Sequence, residues 1–299
     1  MIAIDLFAGL GGFSLGAIRA GFQVVWASNH SPLACEYHKK NLPATEHVCQ
    51  DLHQADFSAV PDHDVQIAGP SCQGHSLGRG VDKPHHDKLR ATAWAVVSCA
   101  EAKRPYALVT ENVPRFLKWA LFPSWCDALQ RLGYTVSAHI LNAADFSVPQ
   151  ERQRAIIIAT RSKAPLILKT PMRPHVPATA ILDPDETHTW TSIRSKCANT
   201  RRRCRISRSI HGDRFLVPYY SSASADRGRS LDRPIGTITT RARYGLANGN
   251  KYRMLSVREY LRAQSFPENT LLPSNQADAI ELIGNAVPPL MAEAILRQL

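Results

Sequence analysis

Short apolar runs alternate with longer stretches of helical spacing over the first 160 positions of this chain. Ile2-Ala-Ile-Asp-Leu-Phe7 is a strand-sized run entering a glycine turn, and Phe13 to Ala20 repeats apolar side chains at helical intervals until Gly21 closes it. Phe22 to Ala27, Val65 to Ala68, Tyr106 to Thr110 and Ala155 to Thr160 predict further buried strands, and Leu89 to Lys103 is long enough to be a helix between two of them. This rhythm predicts an α/β, Rossmann-like domain on a mostly parallel sheet over residues 1–160.

From Arg161 to about position 240 the periodicity fades into Pro, Ser, Thr and Arg, which predicts a smaller, irregular second domain over 161–240. Regular structure returns over 241–299. Ser256-Val-Arg-Glu259 has the spacing of a capping box, in which each side chain bonds the other's backbone N–H, with Leu255 and Tyr260 as a hydrophobic staple. Leu290 to Leu299 is apolar at helical spacing, so this segment is expected to return to the first domain.

Charge sharpens the division. The chain carries +11 overall, and between Arg161 and Asp232 fourteen Lys and Arg face six Asp and Glu. With a pI near 9.5 and the run Arg201-Arg202-Arg203-Cys204-Arg205, the second region suits a polyanionic partner, since each neutralised phosphate releases counterions. The longest apolar runs are strand-sized and no charged leader opens the chain, so a cytoplasmic, membrane-free protein is expected. Seven cysteines include no C-x-x-C pair, which suggests neither a disulfide framework nor a zinc site, and they are expected to be reduced and mostly in the core.

Four motifs carry candidate chemistry. Asp5-Leu-Phe-Ala-Gly9-Leu-Gly11-Gly12 lets backbone approach a ligand beside a helix N-terminus, although Ser14 stands where a dinucleotide fingerprint requires its third glycine. Gly69-Pro-Ser-Cys72-Gln-Gly-His-Ser76 puts a thiol directly after a strand, where open α/β sheets do chemistry. Glu111-Asn-Val113 ends another strand at the same edge, and a carboxyl there can hold or donate a proton. Gln150-Glu-Arg152-Gln-Arg154 alternates three polar side chains just before a strand, aimed the same way. Read singly, each also has a plain structural explanation: a turn, a core cysteine, a surface glutamate, a solvated edge.

Together with Arg233-Pro-Ile-Gly-Thr-Ile-Thr-Thr240 and Gly284-Asn-Ala-Val-Pro-Pro289, these motifs stand in the order of a known family, and across nearly its whole length the chain resembles the C5-cytosine-specific DNA methyltransferases. The resemblance implies an AdoMet-dependent methyltransferase fold with a target-recognition domain. It implies a Cys72 nucleophile adding to C6 of a flipped cytosine, Glu111 at N3, Arg154 at the base carbonyl, Arg152 ordering the catalytic loop, and Asn112 with Val113 supporting the pocket. For S-adenosylmethionine it implies contacts from Phe7, Ala8, Gly9, Gly11, Gly12, Asn29, His30, Asp51, Leu52, Pro70, Asn285 and Val287, with a mobile catalytic loop over about Gln73 to Arg90 hinged at Gly78 and Gly80. Double-stranded DNA is the implied partner of a monomeric enzyme.

The sequence departs from the family pattern at two places. Ser71 precedes the nucleophile where the family has Pro, which predicts a less pre-organised loop. Asn29 replaces the usual ribose-binding Glu, losing a charge-assisted bond, while Ser31 takes an often acidic position and His30 that of the usual residue beside the adenine. An RNA methyltransferase of the same family would share these active-site residues, but its Cys-Phe-Thr tripeptide is absent. A catalytically weak nucleic-acid-binding homologue is disfavoured by retention of Cys72, Glu111, Arg152 and Arg154.

Overall fold

This computed structural model describes residues 1–71, 90–171, 173–220 and 226–299. The chain forms two compact units: Met1–Phe146, Gln153–Met172 and Ala286–Leu299 make the first, and Ser147–Arg152 with Arg173–Asn285 the second. The division differs from one drawn at 160 and 240. Residues 241–285 belong to the second unit, and a six-residue piece just before the last large-sheet strand joins it.

In the first unit seven strands form one sheet: β1 (Ile2–Leu6), β2 (Gln23–Asn29), β3 (Glu46–Cys49), β4 (Val65–Ala68), β5 (Ala107–Asn112), β6 (Thr135–Asn142) and β7 (Gln153–Thr160), in the order β3-β2-β1-β4-β5-β7-β6. β1 to β5 pair in parallel, whereas β7 runs antiparallel to both neighbours. Every residue of β4 and β5 is buried, as expected of central strands covered on both faces. Helices α1 (Gly12–Arg19), α2 (Pro32–Asn41), α3 (Trp94–Lys103) and α4 (Phe122–Arg131) connect them. α4 shows why such a segment folds: Pro123 starts it, and only Trp125 and Leu129 of its residues turn fully inward. Trp125 closes a core with Phe116, Leu108 and Ile157 and satisfies its indole N–H on the Ala93 carbonyl at 2.9 Å.

The second unit is more regular than its faded periodicity predicts. β8 (Thr191–Ser192), β9 (Arg214–Pro218), β10 (Tyr244–Asn248) and β11 (Lys251–Met254) form an antiparallel sheet in the order β8-β11-β10-β9. A fourteen-residue helix, α5 (Ala198–His211), packs on β9. Its buried stripe is Thr200, Cys204 and Ser207, at helical spacing but made of small, weakly apolar residues, so hydropathy alone does not reveal it. Cys204 joins Phe215, Val217, Ala247 and Tyr252 in this unit's core.

α6 (Val257–Ala263) carries the capping box that its sequence predicts: Ser256 Oγ accepts from Glu259 N–H at 3.1 Å and Glu259 Oε2 accepts from Ser256 N–H at 2.7 Å. α7 (Gln276–Asn285) ends the second unit and α8 (Pro289–Leu296) returns to the first. The stretch Gln276–Leu296 is apolar and long enough for a membrane span, yet 72% of it is buried and residues 286–288 divide it. α8 lies against α1 at Gly16, where any side chain would strike Ala292 and the backbone of Glu293.

Candidate active site

Parallel pairing sets the carboxyl ends of β1, β2, β4 and β5 along one edge of the large sheet, where ligands bind in this class. After β1 the chain turns sharply: Phe7, Gly9 and Gly11 have φ of 65°, 55° and 92°. A Cβ on Gly9 would meet only the Phe7 carbonyl, at 3.9 Å, so its backbone stays approachable, whereas one on Gly11 would stand 3.0 Å from the His38 ring. Ala8 N–H donates to the Ser28 carbonyl at 3.0 Å, binding this turn to the end of β2. Gly12 opens α1, so free N–H groups face the turn. Backbone spared of side chains beside a helix start fits the methionine and adenosine moieties assigned to Phe7, Ala8, Gly9, Gly11 and Gly12.

Beyond β2, Asn29 Oδ1 accepts from Ser31 N–H at 3.0 Å and Ser31 caps α2 ahead of Pro32. Ser31 is therefore explained by helix capping, and Asn29 shares its one side-chain acceptor with its own backbone. Gln50 N–H donates to the Asn29 carbonyl at 3.0 Å, which brings the turn carrying Asp51 and the buried Leu52 alongside Asn29 and His30. Asp51 Oδ1 accepts from His53 N–H at 3.0 Å.

Beneath the glycine turn runs a buried polar chain. Ser14 Oγ donates to Asp5 Oδ2 at 2.6 Å and lies 3.1 Å from His38 Nε2, while His38 Nδ1 lies 2.7 Å from His47 Nε2. Burial pushes the Asp5 carboxyl up to about 7, against the pull of its Ser14 bonds, and Asp5 Oδ1 has no partner among the described residues. Burial, and then the charge of His47, holds His38 down at about 3. Of these four residues, the sequence motifs include Asp5, without a role of its own, and name Ser14 as a missing glycine, while His38 and His47 fall outside them. The available signal was an acid between Ile4 and Leu6 in an apolar strand, since a buried carboxyl needs a partner.

At the ends of β4 and β5 the catalytic candidates converge. Glu111 is nearly buried and pairs with Arg154, whose Nε is 2.6 Å from Oε1. The antiparallel course of β7 explains this: Asn112 stands opposite Ala155, so the start of β7 lies beside the finish of β5. Gly69 follows β4 directly, and its ideal Cβ position is 4.0 Å from Glu111 Oε2. Asn112 Nδ2 donates to the Pro70 carbonyl at 3.1 Å, and Asn112 Oδ1 accepts from Val113 N–H at 2.8 Å. Cys72 and residues 73–89, with Gly78 and Gly80, lie outside the described residues.

Gln150, Arg152 and Arg154 do not form one outward row. All are buried, and only Arg154 faces Glu111. Arg152 donates to the carbonyls of Ile238 and Gly284, both at 2.9 Å. Gln150 accepts from Ile238 N–H at 2.8 Å and donates to Gln264 Oε1 at 2.8 Å, and Gln264 donates onward to the Ile283 carbonyl at 2.7 Å. Three separated motifs are thereby knitted within the second unit, and Gly284 must lack a side chain because one would collide with the Thr239 carbonyl. Asn285 is exposed at the end of α7, whereas Val287 is buried in the first unit.

The charged surface also sorts itself. On α5, Arg201, Arg202 and Arg205 are exposed, Arg202 also pairing with Asp226 at 2.6 Å, whereas Arg203 is half-buried, donating to the other oxygen of Asp226 and to the carbonyls of Pro218 and Tyr220. Asp183, His188 and Glu259 lie close enough to share a metal ion, yet Glu259 takes a two-pronged bond from Arg253 and Asp183 pairs with Arg262, so the group is an ion-pair network. The cysteines are less internal than expected: of the six described, Cys99 and Cys204 are buried, Cys35 and Cys126 half-buried, and Cys49 and Cys197 exposed, because the last two sit at a strand end and a helix cap.

Comparison with known proteins agrees with this arrangement. The profile of the C-5 cytosine-specific DNA methylases matches residues 1–299. The chain is 30% identical to the Type II methyltransferase M1.HphI of Haemophilus parahaemolyticus, over 98% of this chain and 84% of that protein. It is 32% identical to M.AplI of Arthrospira platensis, over 99% and 85%. Among solved structures, a prophage-encoded chain from E. coli described as a DNA modification methyltransferase shares the fold with a TM-score of 0.74 at 22% identity, covering 100% of this chain and 98% of that one. Spodoptera frugiperda DNMT2 does so with a TM-score of 0.71 at 16% identity, over 99% and 98%. With the family profile matched over residues 1–299, the chain belongs to the C-5 cytosine-specific DNA methylase family.

Proposed function

We propose that this enzyme methylates carbon 5 of a cytosine flipped out of double-stranded DNA, with Cys72 as nucleophile. The supporting observation is the Glu111–Arg154 pair, set beside Gly69 and Pro70 just ahead of Cys72. Cytosine C5 is a poor nucleophile until a thiolate adds to C6 and turns the ring into an enamine. In this reading the Cys72 sulfur forms that bond, and Glu111 holds a proton at N3 as charge develops there. Arg154 fixes the Glu111 carboxylate and donates to the base carbonyl. S-adenosylmethionine, when bound, supplies the methyl group. Loss of the C5 proton to a base then expels the Cys72 thiolate and restores the ring.

Cofactor contacts are assigned to the glycine turn and to Asn29, His30, Asp51, Leu52 and Pro70, with Asn285 and Val287 at the methionine end. Arg152 supports the motifs that flank the site and makes no proposed contact with the base. The unit at 173–285 is proposed to recognise DNA, with Arg201, Arg202 and Arg205 on phosphates. Absence of a Cys-Phe-Thr tripeptide favours DNA over tRNA. The enzyme is proposed to act as a cytoplasmic monomer. Bisulfite sequencing of DNA from cells expressing the chain tests the reading: protected cytosines in one sequence context support it, and a pattern identical to that of Cys72→Ser cells overturns it.

A further inference from the structure

Two cysteines outside the catalytic motifs meet where the adenosine end of the cofactor is assigned. Cys49 ends β3, directly opposite Asn29 of β2, and Cys35 lies in the first turn of α2, the helix that Asn29 and Ser31 begin. Cys35 Sγ donates to the Asn29 carbonyl at 3.2 Å and Cys49 Sγ to the His30 carbonyl at 3.9 Å. The two thiols are thus held on the carbonyls of consecutive residues. One is exposed and the other half-buried. The spacing of the cysteines along the chain discloses none of this.

We propose that Cys35 and Cys49 form a reversible disulfide that loosens the cofactor site, so that S-adenosylmethionine binding responds to peroxide. The inference rests on the assignment of Asn29 and His30 to the cofactor. The exposed Cys49 thiol loses its proton and its sulfur attacks one oxygen of hydrogen peroxide, breaking the O–O bond and forming a sulfenic acid, while the departing hydroxide takes up that proton and leaves as water. The Cys35 sulfur then attacks that sulfur, expelling hydroxide, which takes the Cys35 proton and leaves as a second water. Two thiols are oxidised and one peroxide reduced. Exposure leaves the Cys49 sulfur open to peroxide, whereas the Cys35 sulfur is half-buried beside it, which assigns initiation to Cys49 and the second step to Cys35. Disulfides inside cells are mostly of this transient kind.

Geometry couples the bond to the cofactor. A disulfide needs sulfurs about 2.0 Å apart, so the two thiols must leave the carbonyls that now hold them and move together. Closure removes both S–H donors from the Asn29 and His30 carbonyls and draws the first turn of α2 toward the end of β3. The Asx turn from Asn29 to Ser31 lies between these points, and the residues assigned to ribose and adenine move with it.

The test uses the full chain carrying Cys72→Ser, so that the nucleophile cannot compete for oxidant. Protein treated with hydrogen peroxide is alkylated and digested with trypsin, which separates the two cysteines at Lys39 and Lys40. S-adenosylmethionine affinity is measured by calorimetry before oxidation, after it, and after dithiothreitol. The expected result is a Cys35–Cys49 linked peptide and an affinity weakened by about fivefold or more, the lower end of ordinary coupling between sites, restored by reductant and absent in Cys35→Ser and Cys49→Ser. Separate alkylated peptides, Cys49 sulfinic acid with Cys35 free, or a linked peptide with unchanged affinity would each overturn the proposal. Reduced protein that binds no cofactor while still forming the linked peptide would instead refute the cofactor assignment.

Discussion

Asn112 holds the Pro70 carbonyl from the neighbouring strand, so the β5 motif directly fixes the backbone two residues ahead of Cys72. With Ser71 in place of the family's Pro, that tether carries more of the positioning than ring rigidity does. Asn112→Ala leaves a buried carbonyl unpaired, a loss of about 1–3 kcal/mol. We expect methyl transfer in single turnover to fall by about tenfold while S-adenosylmethionine affinity stays within about twofold. An unchanged rate would show that the loop is positioned without it.

Glu111 and Arg152 lie in motifs of equal prominence but should fail differently. Glu111→Gln keeps its shape and should slow methyl transfer by about 100-fold or more, with the melting temperature close to wild type. Arg152→Ala strips donors from the buried Ile238 and Gly284 carbonyls and should lower stability by about 2–4 kcal/mol. Denaturant midpoints and single-turnover rates on the same preparations separate the two. If Arg152→Ala is stable but inactive, its guanidinium acts on the reaction itself.

The arginines of α5 divide by exposure. Arg201→Ala with Arg202→Ala should weaken cognate and non-cognate DNA alike and flatten the plot of log affinity against log salt by roughly 0.9 for each phosphate left without its arginine. Arg203→Ala should leave the slope alone and destabilise the second unit, because Arg203, unlike the more exposed Arg202 that shares Asp226 with it, also holds two backbone carbonyls. A slope that changes only with Arg203 would reverse this assignment.

Asp5 and His38 put opposing pH slopes on stability. The Asp5 carboxyl, raised by burial from 3.8 to about 7, keeps a proton in the folded chain that the unfolded chain has lost, so its contribution declines as pH rises through that window. His38, lowered by burial from 6.5 to about 3, stays neutral when folded, so its contribution declines as pH falls below 6.5, and His47 adds in the same direction. Asp5→Asn leaves the histidine slope unopposed. The stability of the variant relative to wild type should therefore climb between pH 4 and 6.5, by at most about 1.4 kcal/mol per pH unit. Parallel urea-midpoint curves would show that Asp5 does not hold its proton.

Legibility followed chemistry more than periodicity. β1, β4 and β5 were readable because they are short, mostly apolar and lead into motif residues, and Ser256 with Glu259 announced its helix. β6 was missed because most of its residues are only partly covered, so no apolar run marks it. α5 was missed because arginine dominates it and its inner stripe is small. Motif order brought Glu111 and Arg154 to one edge but grouped Arg152 with them, since alternation along a strand cannot show that the chain changes compact unit between positions 152 and 153. An acid inside the apolar run of β1 signals that Asp5 needs a partner, but not which one, for Asp5, Ser14, His38 and His47 come from four elements that only the fold assembles.

The packing of α8 on α1 carries a consequence for how the protein is made. α1 carries the first turn of the cofactor cradle, yet Gly16 is shaped to receive Pro289 and Ala292, which leave the ribosome some 270 residues later. At elongation rates of about 5–20 residues per second, the nascent chain waits many seconds with that helix face uncovered. The proposed methyl-donor site thus closes only after some 270 further residues have been added, which would tie cofactor binding to a chain synthesised through to α8.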